Sequence, residues 1–346
     1  MTVNTIKGDD DRMSQKPTLL INESTVKDLM TMADYIRLTD NVYKGLNDGT
    51  VINPTKLTLD LGETGNYPNY EGFANAMPAY IGWQDMAGLK WVSGFAGKRK
   101  EAGLPFINGL ITLLDAQMGD FLAVMDGTEI TNMRTGSQTA TALSYLVKDS
   151  AITVGIYGAG MQAHKNTEAI NEIFDIEKLV IWNRTREHAE KFKAEMESEI
   201  KGEIIVADDQ SEPASCDVVI TVTSANEPLI ETEWIKPGTI IFPLGSFQEI
   251  PDEVALKADK IIVDHPGQAL HRGALKHLNA EGKMNEEDIF ATLGELANEK
   301  KSIGDISDEI TLCIPIGIGA VDIAVANEVY QRVLEKGLGE SFDFKA

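Results

Sequence analysis

The sequence predicts an α/β protein in which a doubly wound parallel sheet is joined to a second domain of α+β type. The chain has 346 residues, which is too long for one ordinary core and indicates two domains. Short apolar runs separated by hairpin-like turns fill the first part, as in antiparallel sheets. After residue 150, apolar runs alternate with helical patterns, which is typical of a parallel sheet covered on both faces.

The first part of the chain is predicted to be rich in β-strands. A strand at Leu19–Ile21 and a helix from about Ser24 precede a strand over residues 51–60. The loop Gly62–Asn75 follows; it is rich in glycine, asparagine and tyrosine, as ligand-binding loops often are. Further apolar runs predict four strands and then a helix, at Met77–Gly82, Gly88–Val92, Leu110–Asp115, Phe121–Met125 and Thr131–Leu146.

The second part is predicted to repeat a strand–helix unit. After the run that begins at Thr153, the pattern gives a helix over Arg186–Ile200 and strands at Val180–Trp182, Ile204–Val206, Val218–Val222, Thr239–Leu244 and Lys260–Val263. Residues 264–300 have a helical pattern, and the apolar last helix, Ala320–Leu334, is expected to return to the first domain. The predicted domains are therefore residues 150–312 for the parallel sheet and residues 1–130 plus 313–346 for the other.

A glycine-rich turn marks the start of the parallel sheet. Residues 153–163 read T-V-G-I-Y-G-A-G-M-Q-A, which is the strand, turn and helix opening of a dinucleotide-binding, Rossmann-like unit. Gly158 would make the tight turn, Gly160 would let the backbone approach a pyrophosphate, and Ala163 would let helix and strand pack closely. Met161 and Gln162 begin the helix, whose free N–H groups suit phosphates. Small-residue turns also occur without any ligand.

The end of the next strand indicates which dinucleotide would bind. Asn183, Arg184 and Thr185 follow it, where NAD enzymes usually carry an acidic residue for the ribose and NADP enzymes an arginine for the 2′-phosphate. Asn183 would not repel a phosphate, and Arg184 can pair with it bidentately. The alternative is a solvated turn. NADP(H) is therefore preferred and NAD(H) remains possible, with Thr223 after a later strand in the same site.

Composition excludes several classes of protein. The net charge of −23 disfavours nucleic acid and anionic membranes as partners, and no apolar run reaches membrane-spanning length. Cys216 and Cys313 lie far apart, and residues 1–16 are acidic rather than signal-like, so a reducing cytoplasm is expected. No metal site is predicted, because the spacing of Asp264, His265 and His271 matches no usual ligand set.

Four segments together resemble one family. They are Gly88-Leu89-Lys90-Trp91-Val92, Met133-Arg134-Thr135-Gly136, the turn Gly158–Ala163, and Gly317–Asp322. From about residue 20 to 335 the chain resembles the ornithine cyclodeaminase/mu-crystallin family of NAD(P)-dependent amino-acid and imino-acid enzymes. The run Trp182–Thr185 is similar to its NADPH-using, mu-crystallin-like branch. The resemblance implies a homodimer built through the first domain, which would also bind substrate.

The resemblance also implies roles for individual residues. Lys90 matches the active-site lysine; its apolar strand would lower its pKa, although an edge-strand lysine with its amine in water is the plain alternative. Arg134 matches the arginine that binds the substrate carboxylate, and Thr135 beside it is placed in the cofactor site. Lys56 falls where many members have a second carboxylate-binding arginine, and Met77 where a residue often lines the substrate pocket.

One departure from the family affects the expected reaction. Members that deaminate or oxidise amino acids commonly have an aspartate after the strand equivalent to 239–244, and here that segment is Gly245–Ile250. Glu249 is the candidate replacement as a catalytic acid, although a solvated loop acid is the alternative. The implied function is hydride transfer between NADP(H) and a small amino or imino acid. The alternatives are an ornithine cyclodeaminase-type ammonia lyase with a retained NAD, and a mu-crystallin-like NADPH-binding protein.

Overall fold

The computed structural model describes residues 17–62, 68–225, 227–245 and 248–344. The N-terminal segment 1–16, part of the loop Gly62–Asn75 and residues 246–247 lie outside these ranges. Two eight-stranded sheets form the molecule, and the predicted α/β class with a doubly wound parallel sheet is confirmed. Within the described ranges, no helix is long and apolar enough to cross a membrane.

The first sheet is antiparallel apart from one strand pair. Its order is β16-β1-β7-β6-β5-β4-β2, with β3 paired to β4, for strands β1 (Thr18–Ile21), β2 (Val51–Ile52), β3 (Leu57–Asp60), β4 (Gly72–Ile81), β5 (Met86–Phe95), β6 (Ile107–Asp115), β7 (Phe121–Asp126) and β16 (Glu340–Phe342). Strands β1 and β7 run parallel. The single strand predicted over 51–60 is instead two strands; Pro54 lies between them and has no N–H for a strand ladder.

Helices cover one face of this sheet. They are α1 (Glu23–Leu29), α2 (Met32–Asp48), α4 (Thr128–Leu146) and the last helix, α11 (Gly319–Lys336); the short helix α3 (Gly97–Glu101) follows β5. The one helix predicted from Ser24 is instead two, because Thr31 and Asp34 form a capping box that starts α2. Helix α11 packs tightly on β5: a Cβ at Gly88 would be only 2.8 Å from Ile323. The last helix thus packs on the first sheet.

The second sheet is parallel throughout. Its order is β10-β9-β8-β11-β12-β15-β13-β14, for strands β8 (Ala151–Tyr157), β9 (Asp175–Trp182), β10 (Glu203–Val206), β11 (Val218–Thr221), β12 (Ile240–Pro243), β13 (Lys260–Val263), β14 (Ala291–Thr292) and β15 (Thr311–Ile314). Its helices are α5 (Met161–Ile173), α6 (Arg186–Met196), α7 (Asp252–Lys257), α8 (Pro266–Ala269), α9 (Lys276–Ala280) and α10 (Leu293–Ala297). The strand order reverses between β8 and β11, so a crevice opens at their carboxyl ends.

The region after residue 263 differs from its prediction. Instead of continuous helix, residues 264–300 form short helices and the two-residue strand β14. Strand β15 is absent from the predicted elements, although it is buried along its whole length in the same way as β11 and β12. The predicted boundary between residues 312 and 313 falls inside β15, and the chain leaves the second sheet only after Ile314.

Candidate active site at the junction of the two sheets

Lys90 lies on the covered face of the first sheet. Its neighbour Trp91 points to the opposite face and is 56% exposed, whereas the side chain of Lys90 is fully buried. Lys90 Nζ is 2.6 Å from Asp322 Oδ2 and donates to Thr131 Oγ1 at 3.4 Å. Burial, and secondly the Arg134 guanidinium, lower the pKa of Lys90 to about 7, while the Asp322 carboxylate opposes this shift. Lys90 can therefore exchange a proton near neutral pH.

Arg134 projects from α4 towards the same aspartate. Its Nε is 3.3 Å from Asp322 Oδ1, and one terminal nitrogen donates to Gln138 Oε1 at 2.8 Å. Gly317 has φ +88°, and a Cβ there would be 2.7 Å from the same terminal nitrogen. The other terminal nitrogen has no hydrogen bond to the described residues, so the guanidinium keeps donors for an anion.

Asp322 is the functional residue that sequence reasoning missed. In the sequence it lies within the motif Gly317–Asp322, for which no catalytic or binding role was predicted. The carboxylate is fully buried on the first turn of α11 and lies between Lys90 and Arg134. An unpartnered carboxylate is costly to bury, so this arrangement is stable because two cations share it. The motif Gly317–Asp322 could have drawn attention to this residue. Its contacts with Lys90 and Arg134 become visible only where α11 packs on the first sheet.

Lys56 lies beside this group. Its Nζ donates to the carbonyl oxygens of Ile316 at 3.0 Å and Gly317 at 3.1 Å. Burial, followed by the nearby Arg272 guanidinium, lowers the pKa of Lys56 to about 7. Asp264 lies on the other side of Gly317, where its Oδ2 accepts the Gly317 N–H at 2.8 Å. The backbone around Gly317 thus bonds both the Lys56 ammonium and the Asp264 carboxylate.

Met77 completes the covered face near Lys90. The two residues are directly opposite in the pairing of β4 with β5, and Met77 is buried. A Cβ at Gly319 would be 2.8 Å from the Met77 carbonyl oxygen, so the start of α11 packs directly on this residue. The structure therefore places Met77 beside Lys90.

The glycine turn has the shape that a dinucleotide requires. Gly158 has φ +106°, and a Cβ there would be 2.7 Å from the Val222 carbonyl oxygen. At Gly160 no described atom lies within 4 Å of a Cβ position, so the space above the turn is open. Helix α5 begins at Met161 without a side-chain cap, which leaves N–H groups for phosphate oxygens. Ala163 is fully buried against the sheet. These features fit a pyrophosphate.

Other residues predicted for the cofactor site have different surroundings. Met161 is 57% exposed, whereas Gln162 turns towards α4 and donates to Asn132 Oδ1 at 3.2 Å. Thr135 donates to the Thr131 carbonyl oxygen within α4 at 2.8 Å. The structure therefore places Gln162 at the contact between α4 and α5, while the Thr135 hydroxyl is bonded within α4.

This contact of α4 with α5 connects the two parts of the site. A Cβ at Gly136 would collide with the carbonyl oxygen of Lys165. Only glycine permits so close an approach, and it holds Arg134 at a fixed position relative to the glycine turn. This explains in physical terms why the segment Met133–Gly136 ends in glycine.

The turn after β9 exposes one arginine. Asn183 donates to the Thr185 carbonyl oxygen at 2.8 Å, and both Arg184 and Thr185 are exposed. Arg184 has no hydrogen bond or ion pair with the described residues. Arg186, by contrast, is ion-paired with Glu190 and with Asp208. Arg184 is thus the arginine of this turn that is available to a ligand.

Glu249 has both carboxylate oxygens occupied. One accepts from the Thr221 hydroxyl at 2.9 Å and the Gly245 N–H at 2.7 Å. The other accepts from the Thr223 N–H at 2.6 Å and the Thr223 hydroxyl at 2.7 Å. Burial raises the pKa of this carboxyl group although these bonds oppose the rise. Glu249 therefore ties the loop after β11 to the loop after β12, and none of these contacts involves Lys90.

The histidines and aspartate considered for a metal do not assemble into a ligand set. Within the described residues, a group close enough to share an ion is formed instead by Asp252, His277 and Glu281 at the surface. His277 is already ion-paired with both carboxylates. These contacts account for the cluster without a metal.

Comparison with known proteins identifies the family and the proteins that this chain resembles. The model of the ornithine cyclodeaminase/mu-crystallin family matches residues 17–337. A Δ1-pyrroline-2-carboxylate reductase of Bacillus cereus is 31% identical over 332 residues, which cover 94% of this chain and 100% of that protein. The same reductase from Thermococcus litoralis, solved with NADH and L-proline, is 30% identical, with a TM-score of 0.86 over 94% of this chain and 100% of that one. An archaeal alanine dehydrogenase dimer with bound NAD is 31% identical, with a TM-score of 0.86 over 94% and 99%.

Proposed function

Because this chain belongs to the ornithine cyclodeaminase/mu-crystallin family, we propose that it is an NADP-dependent oxidoreductase acting on the C–N bond of a small amino acid or imino acid. In the reducing direction, the carbon of a C=N bond next to a carboxylate gains a hydride and the nitrogen gains a proton. A bound nicotinamide dinucleotide supplies the hydride, or accepts it in the oxidative direction. The relatives named above support the reaction through the substrates in their names. The cofactors printed for the two solved structures, NAD and NADH, support a nicotinamide dinucleotide but not the preference for NADP(H), which rests on Arg184.

The observation that carries the proposal is the buried group Lys90, Asp322 and Arg134. Arg134 and Lys56 bind the substrate carboxylate. One terminal nitrogen of Arg134 has no hydrogen bond to the described residues, and Lys56 Nζ, with three N–H groups, donates to two carbonyl oxygens and keeps one N–H. Lys90 transfers the proton to the nitrogen from Nζ, because its pKa near 7 suits both directions of transfer. Asp322 fixes the positions of both cations. The pocket contributes mainly by orienting the imine carbon for hydride transfer.

For Glu249 we propose a positioning role instead of the catalytic role that the sequence suggested. Its four hydrogen bonds hold Thr223 and Gly245 in place at the crevice where the cofactor binds. With its oxygens so occupied, Glu249 is poorly placed to handle a substrate amine. This disfavours the ornithine cyclodeaminase-type lyase relative to the oxidoreductase.

The test of the proposed function is NADPH consumption with 2-oxo acids plus ammonium and with cyclic imino acids. We expect steady loss of the absorbance of reduced nicotinamide and formation of amino acid in equal amount. Ammonia release from ornithine without a net absorbance change would instead identify a lyase. Tight NADPH binding without turnover on any substrate would identify a binding protein, and either result contradicts the proposal.

We also propose that Arg184 binds the 2′-phosphate and gives the preference for NADP(H) over NAD(H). Arg184→Gln is expected to lower the NADP/NAD ratio of kcat/KM by about 10–100-fold, since a charge-assisted hydrogen bond contributes about 1.5–3 kcal/mol. The matched control is Arg186→Gln, because Arg186 is held by Asp208 and Glu190. An equal effect of both variants, or none of Arg184→Gln, would contradict this assignment.

A homodimer through the exposed face of the first sheet is a further part of the proposal. Trp91 and Leu110 are directly opposite in the pairing of β5 with β6, and each is 56% exposed. Leu89, Pro78 and Phe121 extend the same face. A contiguous exposed apolar face can mark an interaction surface, and the similar alanine dehydrogenase is a dimer.

Leu110→Lys is expected to convert the dimer into a monomer, because it places a charge at the centre of an apolar interface. Light scattering after size-exclusion chromatography measures the mass. Leu256→Lys is the matched control, since Leu256 is 52% exposed but lies on α7 beside the other sheet. A monomeric wild-type protein, or a Leu110→Lys variant that stays dimeric, would rule out this interface.

The domain roles and location complete the proposal. Residues 1–130 with the C-terminal helix would bind substrate and form the dimer, and residues from about 150 to the end of β15 would bind NADP(H). Cys216 and Cys313 are free thiols buried in the second sheet region, which agrees with a cytoplasmic location.

A further inference from the structure

Arg272 crosses from one sheet to the other. It follows α8 in the second sheet region, yet one of its terminal nitrogens contacts the Thr58 hydroxyl and lies 3.3 Å from Asn75 Oδ1. Both partners belong to strands β3 and β4 of the first sheet. Arg272 is partly buried, and burial lowers the pKa of its guanidinium. A cation in such a place normally has a carboxylate partner.

No described carboxylate forms an ion pair with Arg272. Its Nε and its other terminal nitrogen make no hydrogen bond with the described residues, so several donors of its planar fork are open. The two nearby acids have other partners: Asp264 accepts from Gly317, and Asp322 lies between Lys90 and Arg134. Arg272 is therefore a cation without an ion pair to any carboxylate in the described part of the chain.

The charges of the site single out Arg272. Among the described residues, four basic side chains surround the junction, Lys56, Lys90, Arg134 and Arg272, and the carboxyl groups of Asp264 and Asp322 accompany them. After burial, the Arg272 guanidinium is the largest cause of the lowered pKa of Lys56. The two lysines can lose their charge near neutral pH, whereas the two arginines keep theirs. Arg134 lies against Asp322, so Arg272 is the permanent cation that no described carboxylate pairs.

The spacing along β4 fits two carboxylates of one small molecule. Met77 lies opposite Lys90, and Asn75, which contacts Arg272, is two residues away on the same face of the strand. Two residues of a strand span about 7 Å, so the Asn75 that Arg272 contacts lies about one short side chain's length along the strand from the residue opposite Lys90.

We propose that Arg272, with Thr58 and Asn75, binds a second carboxylate of the substrate, so that the preferred substrate class is dicarboxylic, an amino or imino acid of four or five carbons. This inference rests on the proposed function and specifies its substrate. Arg272 binds the side-chain carboxylate bidentately, while Arg134 and Lys56 bind the carboxylate next to the reacting carbon. Contact of Arg272 with both sheets also makes substrate binding bridge the two domains.

The test compares ligands that differ only in the second carboxylate. L-Aspartate is matched with L-2-aminobutyrate, and L-glutamate with L-norvaline; calorimetry gives Kd for each with the NADP⁺-loaded protein. We expect at least one dicarboxylic ligand to bind about 10–100-fold more tightly than its match. Arg272→Gln should remove this difference without changing the Kd of the monocarboxylic ligand, and Arg272→Lys should keep part of it. Arg99→Gln removes a charge elsewhere and should change nothing.

Two results would overturn the inference. One is equal or tighter binding of the monocarboxylic ligands by the wild-type protein. The other is an equal loss for both ligands of a pair in Arg272→Gln, which would make Arg272 a structural bridge only. Turnover of monocarboxylic imines without dicarboxylic preference would refute this inference and keep the proposed function. Selective dicarboxylate binding without any turnover would keep the subsite and refute the proposed function.

Discussion

Lys90→Met is expected to lower kcat by about 10²–10⁴-fold, the usual contribution of a positioned proton-transfer group, and to leave the affinity for NADPH unchanged. Methionine fills the buried space of the lysine stem but has no ionisable group that could transfer a proton. Asp322 keeps Arg134 as its partner, so the carboxylate is not left unpaired in the core. Steady-state kinetics and a fluorescence titration with NADPH measure the two quantities separately.

Lys90→Arg is the matched control for this substitution. Arginine keeps the positive charge beside Asp322, but it does not release a proton near neutral pH. If Lys90 acts by proton transfer, both variants are inactive; if it only supplies charge, Lys90→Arg retains activity. Circular dichroism and thermal unfolding show whether each variant is folded. Wild-type turnover in folded Lys90→Met would exclude the proposed role.

The pH profile gives an independent reading of the same group. Imine reduction needs the protonated form of Lys90, so kcat/KM should fall as the pH rises through about 7, the pKa that burial and Arg134 give it. The Asp322 carboxylate raises this pKa, and Asp322→Asn should therefore move the midpoint to lower pH. Because the wild-type protein and Asp322→Asn are measured with the same substrate, the ionisation of the substrate does not contribute to the difference between their midpoints. An unchanged midpoint in folded Asp322→Asn would contradict the assignment.

Arg134→Gln is expected to have the second largest effect, a fall in kcat/KM of about 30-fold to several thousandfold. This corresponds to the about 2–5 kcal/mol lost when one partner of a buried charge pair is removed. The loss should appear mainly in KM, because Arg134 binds the substrate carboxylate in both ground and transition states. Initial rates at saturating NADPH measure both parameters.

Arg134→Lys and the pH profile distinguish binding from general damage to the site. Lysine keeps the charge but lacks the planar fork, so an intermediate loss is expected. Arg134 also lowers the pKa of Lys90, and its removal should move the midpoint of kcat/KM to higher pH. A fall in kcat with unchanged KM, in a folded protein, would show that Arg134 does not bind the carboxylate.

Local features of the site could be predicted from the sequence. The turn Gly158–Ala163 depends on small residues at fixed positions, because backbone conformation and close approach are properties of neighbouring residues. The alternation of strand and helix after residue 150 is equally local. Lys90 and Arg134 were identified through short motifs around them. All of these signals lie within a few residues of the position that they describe.

Contacts between distant residues were decided only by the tertiary structure. Lys56 bonds a carbonyl group 260 residues away, and Arg272 contacts Thr58 across 214 residues. The burial of Lys90 comes from α11 and α4 covering its face of the sheet, and not from Leu89 and Trp91 beside it in the sequence. Likewise, the occupied oxygens of Glu249 follow from two loops meeting at one sheet edge.

The sequence by itself determined that this protein has a dinucleotide-type turn and a lysine in an apolar strand. It placed Arg134 near a helix start, whereas the structure begins α4 at Thr128 and puts Arg134 beyond its first turn. The tertiary structure decided that Asp322 joins that lysine and arginine, and that Arg272 reaches the first sheet without an ion pair to any described carboxylate. The physical reason is that charge pairing and burial depend on which surfaces meet, and the return of α11 to the first sheet brings those surfaces together.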